Sequence, residues 1–296
     1  GLKSAGTIND WKPVAYDWRL SLTDILSKGA ERDGKIYYAD ATSTPYIEQT
    51  LRALASSSRT KKVTIIVHSN GGLVAKALLN KLGGEESAML VDKLIMVGAP
   101  QSGAPVDIGA LLYGMDQGIS SRGVSVLSAD VAKELAENSP MAYHLLPSQN
   151  YLDSIASDAA HPVARFAGSG YAAERSSYGP MITSSSNLHK FLLASTTLNS
   201  SLVDYANSQH EMLDPWAPPT GIEVSQIAGW GADTVAGIDF YTLNSVRKYR
   251  PIFTEDGDGV VPIPSALMMA TSSSVKRYWV NLDEINNVPG VSIKYS

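Results

Sequence analysis

Residues 61–79 read KKVTIIVHSNGGLVAKALL: a β-branched run ends on His68-Ser69-Asn70-Gly71-Gly72, and an amphipathic helical pattern starts at once. A serine hydroxyl is a poor nucleophile unless it is exposed, held in place and served by a base. A tight strand-to-helix turn lifts that hydroxyl above the sheet edge. It also aims backbone N–H groups from the positive end of a helix, where developing negative charge is stabilised. Ser69 is the candidate nucleophile, and the N–H of Asn70 is the candidate oxyanion donor. Val67 stands two residues before the serine, where such turns ordinarily carry glycine, while both glycines after it are present. A plainer reading of the same residues is a serine capping the next helix, with Gly-Gly as an ordinary turn.

The elements around Ser69 are legible from pattern. KVTIIVH (62–68) has no alternation and predicts a strand buried on both faces. GLVAKALLNKL (72–82) predicts a helix with Leu73, Val74, Ala77 and Leu78 inward, and VDKLIMVGAP (91–100) a second buried strand. Strand, helix and strand in this order make a right-handed βαβ unit. PVAYDW (13–18) reads as a short strand. TPYIEQTLRALASSS (44–58) reads as a helix capped by Thr44, with Pro45 in its first turn and Ile47, Leu51 and Leu54 on one face. From 101 to 220 helical pieces such as SADVAKELAENS (128–139) alternate with polar coil, and 167–186 reads as irregular chain. Strands resume with GIEVSQIAGW (221–230) and VKRYWVNL (275–282). The fold class is α/β: a parallel sheet with flanking helices, interrupted by a large helical insertion. The expected division is 1–100 and 221–296 as core, with 101–220 inserted.

Composition narrows the function. The chain has 296 residues, 44% of them apolar and 18% charged, which suits a packed core. A net charge of −5 gives no basic footprint for nucleic acid or an anionic membrane. Cysteine is absent, which excludes disulfides and thiolate metal sites. No apolar run reaches the ~20 residues of a membrane span. The start, GLKSAGTINDWK, carries neither Met nor a signal-peptide core and reads as a mature or truncated beginning. No metal-ligand spacing or dinucleotide fingerprint is present.

Six stretches, AYDWRLSLTDI (15–25), VHSNGGLVAKALL (67–79), LIMVGAPQSGAP (94–105), AYHLLPS (142–148), IAGWGADTV (227–235) and DGDGVVPIPSAL (256–267), follow the order found in lecithin:cholesterol acyltransferase-like α/β-hydrolases, which the chain resembles from about 11 to 270. The resemblance implies an α/β-hydrolase with a helical cap inserted between nucleophile and acid, acyl-ester chemistry through a Ser–Asp–His triad, no cofactor, and a lipid or other ester as substrate. It maps the acid onto Asp258, with Asp256 as a weaker rival; an Asp-Gly turn is the plain alternative. A calcium loop fails, because Leu267 stands where a bidentate Glu is needed. Trp18 and Trp230 are candidate substrate contacts. Tyr16-Asp17-Trp18-Arg19 is expected to fix a pocket-shaping loop, with Asp17 and Arg19 as a charged pair. An amphipathic cap helix starting in APVDIGALLYGM (104–115) could touch a lipid surface transiently. An extracytoplasmic or secreted setting follows from the resemblance alone.

The base does not follow. Such enzymes use the chain order serine, acid, histidine, yet all five histidines (His68, His144, His161, His189 and His210) precede Asp258. His68 is expected to pack or to hydrogen-bond locally. His144, His161 and His189 are expected in surface or cap roles, and His210 is the one that could approach a pocket. Residues 1–10 also leave no room for an oxyanion loop before the Tyr-Asp-Trp-Arg stretch. The preferred expectation is a longer polypeptide that supplies both the base and the second oxyanion donor. The alternative is a catalytically incomplete module that only binds.

Overall fold

A computed structural model of the chain describes residues 3–41, 45–115, 120–121, 124–125, 128–269 and 275–286. The described strands are β1 (Lys28–Arg32), β2 (Lys35–Ala41), β3 (Val63–His68), β4 (Val91–Val97), β5 (Ser120–Ser121), β6 (Val124–Ser125), β7 (Ala164–Phe166), β8 (Glu223–Trp230), β9 (Thr234–Leu243), β10 (Val246–Thr254) and β11 (Val275–Asn281). The main sheet has the order β11-β8-β4-β3, and β3, β4 and β8 run parallel. The chain forms two compact units, each discontinuous: 1–99, 215–227 and 269–278 in the first, 100–214, 228–268 and 279–296 in the second.

In the first unit, α1 (Leu22–Ser27) is capped by the Ser21 hydroxyl. Helix α2 (Tyr46–Ser57) buries Ile47 and Leu51, as the spacing predicts, with Pro45 as its N-cap; Thr44 lies outside the described residues. Helix α3 (Gly71–Leu82) joins β3 to its parallel neighbour β4, and α4 (Gly84–Leu90) leads into β4. Two expectations are corrected here. Strand β3 is not buried on both faces: Thr64, Ile66 and His68 point outward, and Ile66 is 70% exposed. Among the described strands it is the last of the sheet, and α3 packs against the opposite face, where Val67 faces Gly71. Residues 13–18 form no strand. The Asp17 carbonyl accepts from the N–H of Leu20 and closes a turn, and two hydrogen bonds from the Arg19 guanidinium clamp the Asp17 carboxylate, at 2.6 and 2.8 Å.

The second unit holds α5 (Val106–Tyr113), α6 (Ala129–Glu137), α7 (Pro140–His144), α8 (Gln149–Ser154), α9 (Ala172–Tyr178), α10 (Ser185–Ser195), α11 (Ser200–Leu213) and α12 (Ile263–Ala266); α13 (Leu282–Asn286) closes the described chain. Ser128, Ser148, Ser184 and Asn199 cap α6, α8, α10 and α11 through their side-chain oxygens, satisfying N–H groups that a helix start leaves open. The stretch 167–186, expected to be irregular, contains α9. A second sheet, β10-β9-β7, is also new: β9 and β10 form a long antiparallel hairpin, and β7 runs parallel to β9. Its core is aromatic. Phe166, Phe191 and Phe240 lie with ring centroids 5.0–5.4 Å apart, and Tyr113 stacks on Tyr249 at 3.6 Å. Asp239, buried on β9, is held by Arg165 and Arg250 at 2.8–3.0 Å.

Candidate active site

Ser69 has φ +52°, a left-handed conformation that a non-glycine residue adopts only when its surroundings impose it. Those surroundings are visible. The Ser69 N–H donates to the Val97 carbonyl at 3.0 Å, which ties the end of β3 to β4, and α3 begins two residues later. Gly72 is obligatory, because a Cβ there would lie 2.6 Å from the Cβ of Ala99. Val67 stands where glycine is usual and faces Gly71, where a Cβ would lie 3.4 Å from the Val67 Cβ. Among the described residues nothing accepts from the N–H of Asn70, so that donor is open beside the half-buried Ser69 hydroxyl. Strand, serine at positive φ and helix N-terminus follow one another here as in the nucleophile elbow of α/β-hydrolases. His68 points away from α3, exposed, with no hydrogen bond among the described residues; the local role expected for it is not seen.

The Tyr-Asp-Trp-Arg segment, expected to fix a loop, also supplies Asn70 with a neighbour. The Tyr16 hydroxyl donates to Asn70 Oδ1 at 2.5 Å. Burial, reinforced by Tyr38, pushes the Tyr16 phenol up to about 12, so it stays protonated and remains a donor at neutral pH. The segment is anchored by the Asp17–Arg19 pair, which holds the Asp17 carboxyl below its ordinary range, and by the Asp17 N–H reaching the Tyr38 oxygen at 3.4 Å. Trp18, the candidate substrate contact, is 54% exposed.

Asp258 belongs to the second unit, as does Trp230, whereas Ser69, Asn70 and Trp18 belong to the first. Asp258 Oδ1 accepts from the N–H groups of Val260 and Val261 at 3.0 and 2.8 Å, an Asx turn that fixes the carboxylate and leaves Oδ2 without a partner among the described residues. The Thr234 hydroxyl braces the same loop: it donates to the Ala232 carbonyl and accepts from the Gly259 N–H. Gly229, at the end of β8, makes room, since a Cβ there would lie 2.9 Å from the Asp258 Cβ and 2.6 Å from Leu282. Asp256 is exposed, which weakens it as the rival acid. Trp230 is half-exposed at the strand end.

Four of the five histidines, His144, His161, His189 and His210, lie in the second unit. His210 is buried on α11, with Nδ1 2.8 Å from Asp214 Oδ1 and Nε2 2.9 Å from the His144 carbonyl oxygen. Asp214 Oδ2 accepts from the Ser148 hydroxyl at 2.6 Å. Serine, aspartate and histidine thus meet here, but the serine bonds to the carboxylate and both ring nitrogens are engaged. His210 thus links α11 to the end of α7. His144 is fully buried, its ring edge-on to that of His210 at 4.8 Å. His161 pairs with Asp158 at the surface. Burial, then the nearby His210, pushes His189 down to about 4, while Asp204 acts in the opposite sense.

No curated protein matches the chain. It is similar to a crystal structure of the Tle4–Tli4 complex, with 16% identity and a TM-score of 0.40 over 72% of this chain and 50% of that one. The chain therefore spans about half the length of that solved chain. The model of the lecithin:cholesterol acyltransferase family matches residues 4–230, more than half the sequence. The parallel β3-β4-β8 sheet, with α3 springing from the Ser69 turn, is an α/β-hydrolase arrangement. The chain belongs to the lecithin:cholesterol acyltransferase family.

Proposed function

We propose that the protein is a serine hydrolase or acyltransferase of esters, with lipid esters as its substrates. The observation that carries the reading is the positive φ of Ser69 between β3 and α3, with an open N–H on Asn70 beside it. In this reading the Ser69 hydroxyl attacks the ester carbonyl and passes its proton to a histidine. The Asn70 N–H stabilises the tetrahedral oxyanion, and one such donor contributes about 3–4 kcal/mol to the transition state. The alcohol leaves with the proton from that histidine, and Ser69 keeps the acyl group. Water or a second alcohol then attacks the acyl-enzyme in the reverse sequence. Asp258 orients the histidine through Oδ2 and stabilises the imidazolium.

Residues 259–296 contain no histidine. We assign the base and the second oxyanion donor to polypeptide outside these 296 residues. A cap role for 101–220, transient lipid-surface contact, substrate contacts from Trp18 and Trp230, and an extracytoplasmic setting belong to the same proposal. Fluorophosphonate labelling of the full-length protein tests it. Labelling at Ser69 that is lost in Ser69→Ala supports the enzyme; absence of labelling at Ser69 favours a module that only binds.

A further inference from the structure

The carboxamide of Asn70 has one acceptor end and one donor end, and its neighbourhood assigns them. Tyr16 Oη lies 2.5 Å from Asn70 Oδ1 and takes up the acceptor. The Asn70 NH2 group has no acceptor among the described residues, and Asn70 is only half-buried, one residue after Ser69. Asn70 is the N-cap residue of α3, yet its side chain makes no capping bond, so the helix does not consume the amide. The phenol cannot drift. It lies against the first turn of α3, where a Cβ on Gly71 would sit 3.5 Å from the Tyr16 oxygen, and the clamped Asp17–Arg19 turn follows it directly.

Building on the reading of Ser69 as nucleophile, we propose that Tyr16 is a positioning residue that turns the Asn70 carboxamide so that its NH2 group donates to the substrate's acyl or leaving-group oxygen. The high pKa of the phenol keeps the donor proton in place across the neutral range. Asn70 then serves the reaction twice, through its backbone N–H and through its side chain. The requirement explains a tyrosine at 16, because phenylalanine would fill the same space and orient nothing.

The test uses the full-length protein and p-nitrophenyl butyrate. Tyr16→Phe is expected to lower kcat about tenfold, the scale of one lost neutral hydrogen bond, with KM within about twofold. Asn70→Leu is expected to lower kcat at least as far. In the double variant the Tyr16→Phe effect disappears, because the phenol acts only through the amide. Tyr278→Phe, at an exposed position of β11 away from this segment, leaves kcat unchanged. An unaltered kcat in Tyr16→Phe, or effects that multiply in the double variant, overturns the proposal. If Tyr16→Phe does not fold, Asn70→Ala decides alone: it keeps the phenol and removes the amide, and an unaltered kcat overturns the proposal. Failure of the wild type to label at Ser69 sinks the nucleophile reading itself. Labelling with an indifferent Tyr16→Phe sinks only this inference.

Discussion

Two described serines have positive φ, Ser69 and Ser245, and of these Ser69 alone stands at a helix start with an open N–H on the next residue. The strain is held by close packing, so loosening the packing must release it. Gly72→Ala places a methyl group against Ala99 and is expected to cost about 1–3 kcal/mol, read as a lower thermal midpoint. Fluorophosphonate labelling at Ser69 should slow in the same variant. His189 gives the residue-scale pH dependence. Its folded value of about 4 lies below the ordinary 6.5, so the unfolded chain binds the proton more readily. The stability tied to its neutral form is complete above pH 6.5 and is lost as pH falls towards 4, about 3 kcal/mol in all. His189→Leu should flatten denaturant midpoints between pH 6.5 and 4. A slope equal to that of the wild type would remove His189 as the cause.

Elements in this protein are joined by a few polar contacts whose value depends on burial. The His210–Asp214–Ser148 group fastens α11 to α7 and to the start of α8. His210→Leu strands a buried carboxylate and is expected to cost about 2–4 kcal/mol. His161→Ala breaks an equally short but exposed pair and should cost no more than about 1 kcal/mol. Urea titration of the two variants checks the ratio. The β9–β10 hairpin turns on Asn244 and Ser245, both with positive φ (50° and 64°), the two-residue turn whose twist suits a hairpin. Ser245→Gly removes the steric cost at that angle and is expected to stabilise by about 0.5–1 kcal/mol. An unchanged or lower thermal midpoint would show that the serine side chain contributes more than its strain costs.

At the scale of the molecule, the sequence-contiguous helical stretch is not self-sufficient. Strand β7 inside it pairs with β9 outside it, and Phe240 on β9 completes the cluster around Phe166 and Phe191. A fragment of residues 101–220 lacks that strand and its aromatic ring. It is expected to show weak near-UV dichroism and no cooperative thermal transition; a sharp transition would contradict this dependence.

Local chemistry made part of the fold legible. The β3–α3–β4 succession and the glycines after Ser69 in the first unit, and the Asp-Gly turn at Asp258 in the second, are set by residues a few positions apart, so propensity and spacing determined them. The hairpins were missed for different reasons. Asn-Ser at 244–245 is a weak turn signal, whereas Asp33-Gly34 between β1 and β2 is a strong one that went unread beside short, polar strands. The reach of His210 Nε2 to the His144 carbonyl and the grip of Tyr16 on Asn70 join residues far apart in the chain, and the exposed face of β3 depends on what packs there. Partners of that kind are chosen by packing, through burial and the need to satisfy polar atoms, and only the tertiary structure decided them.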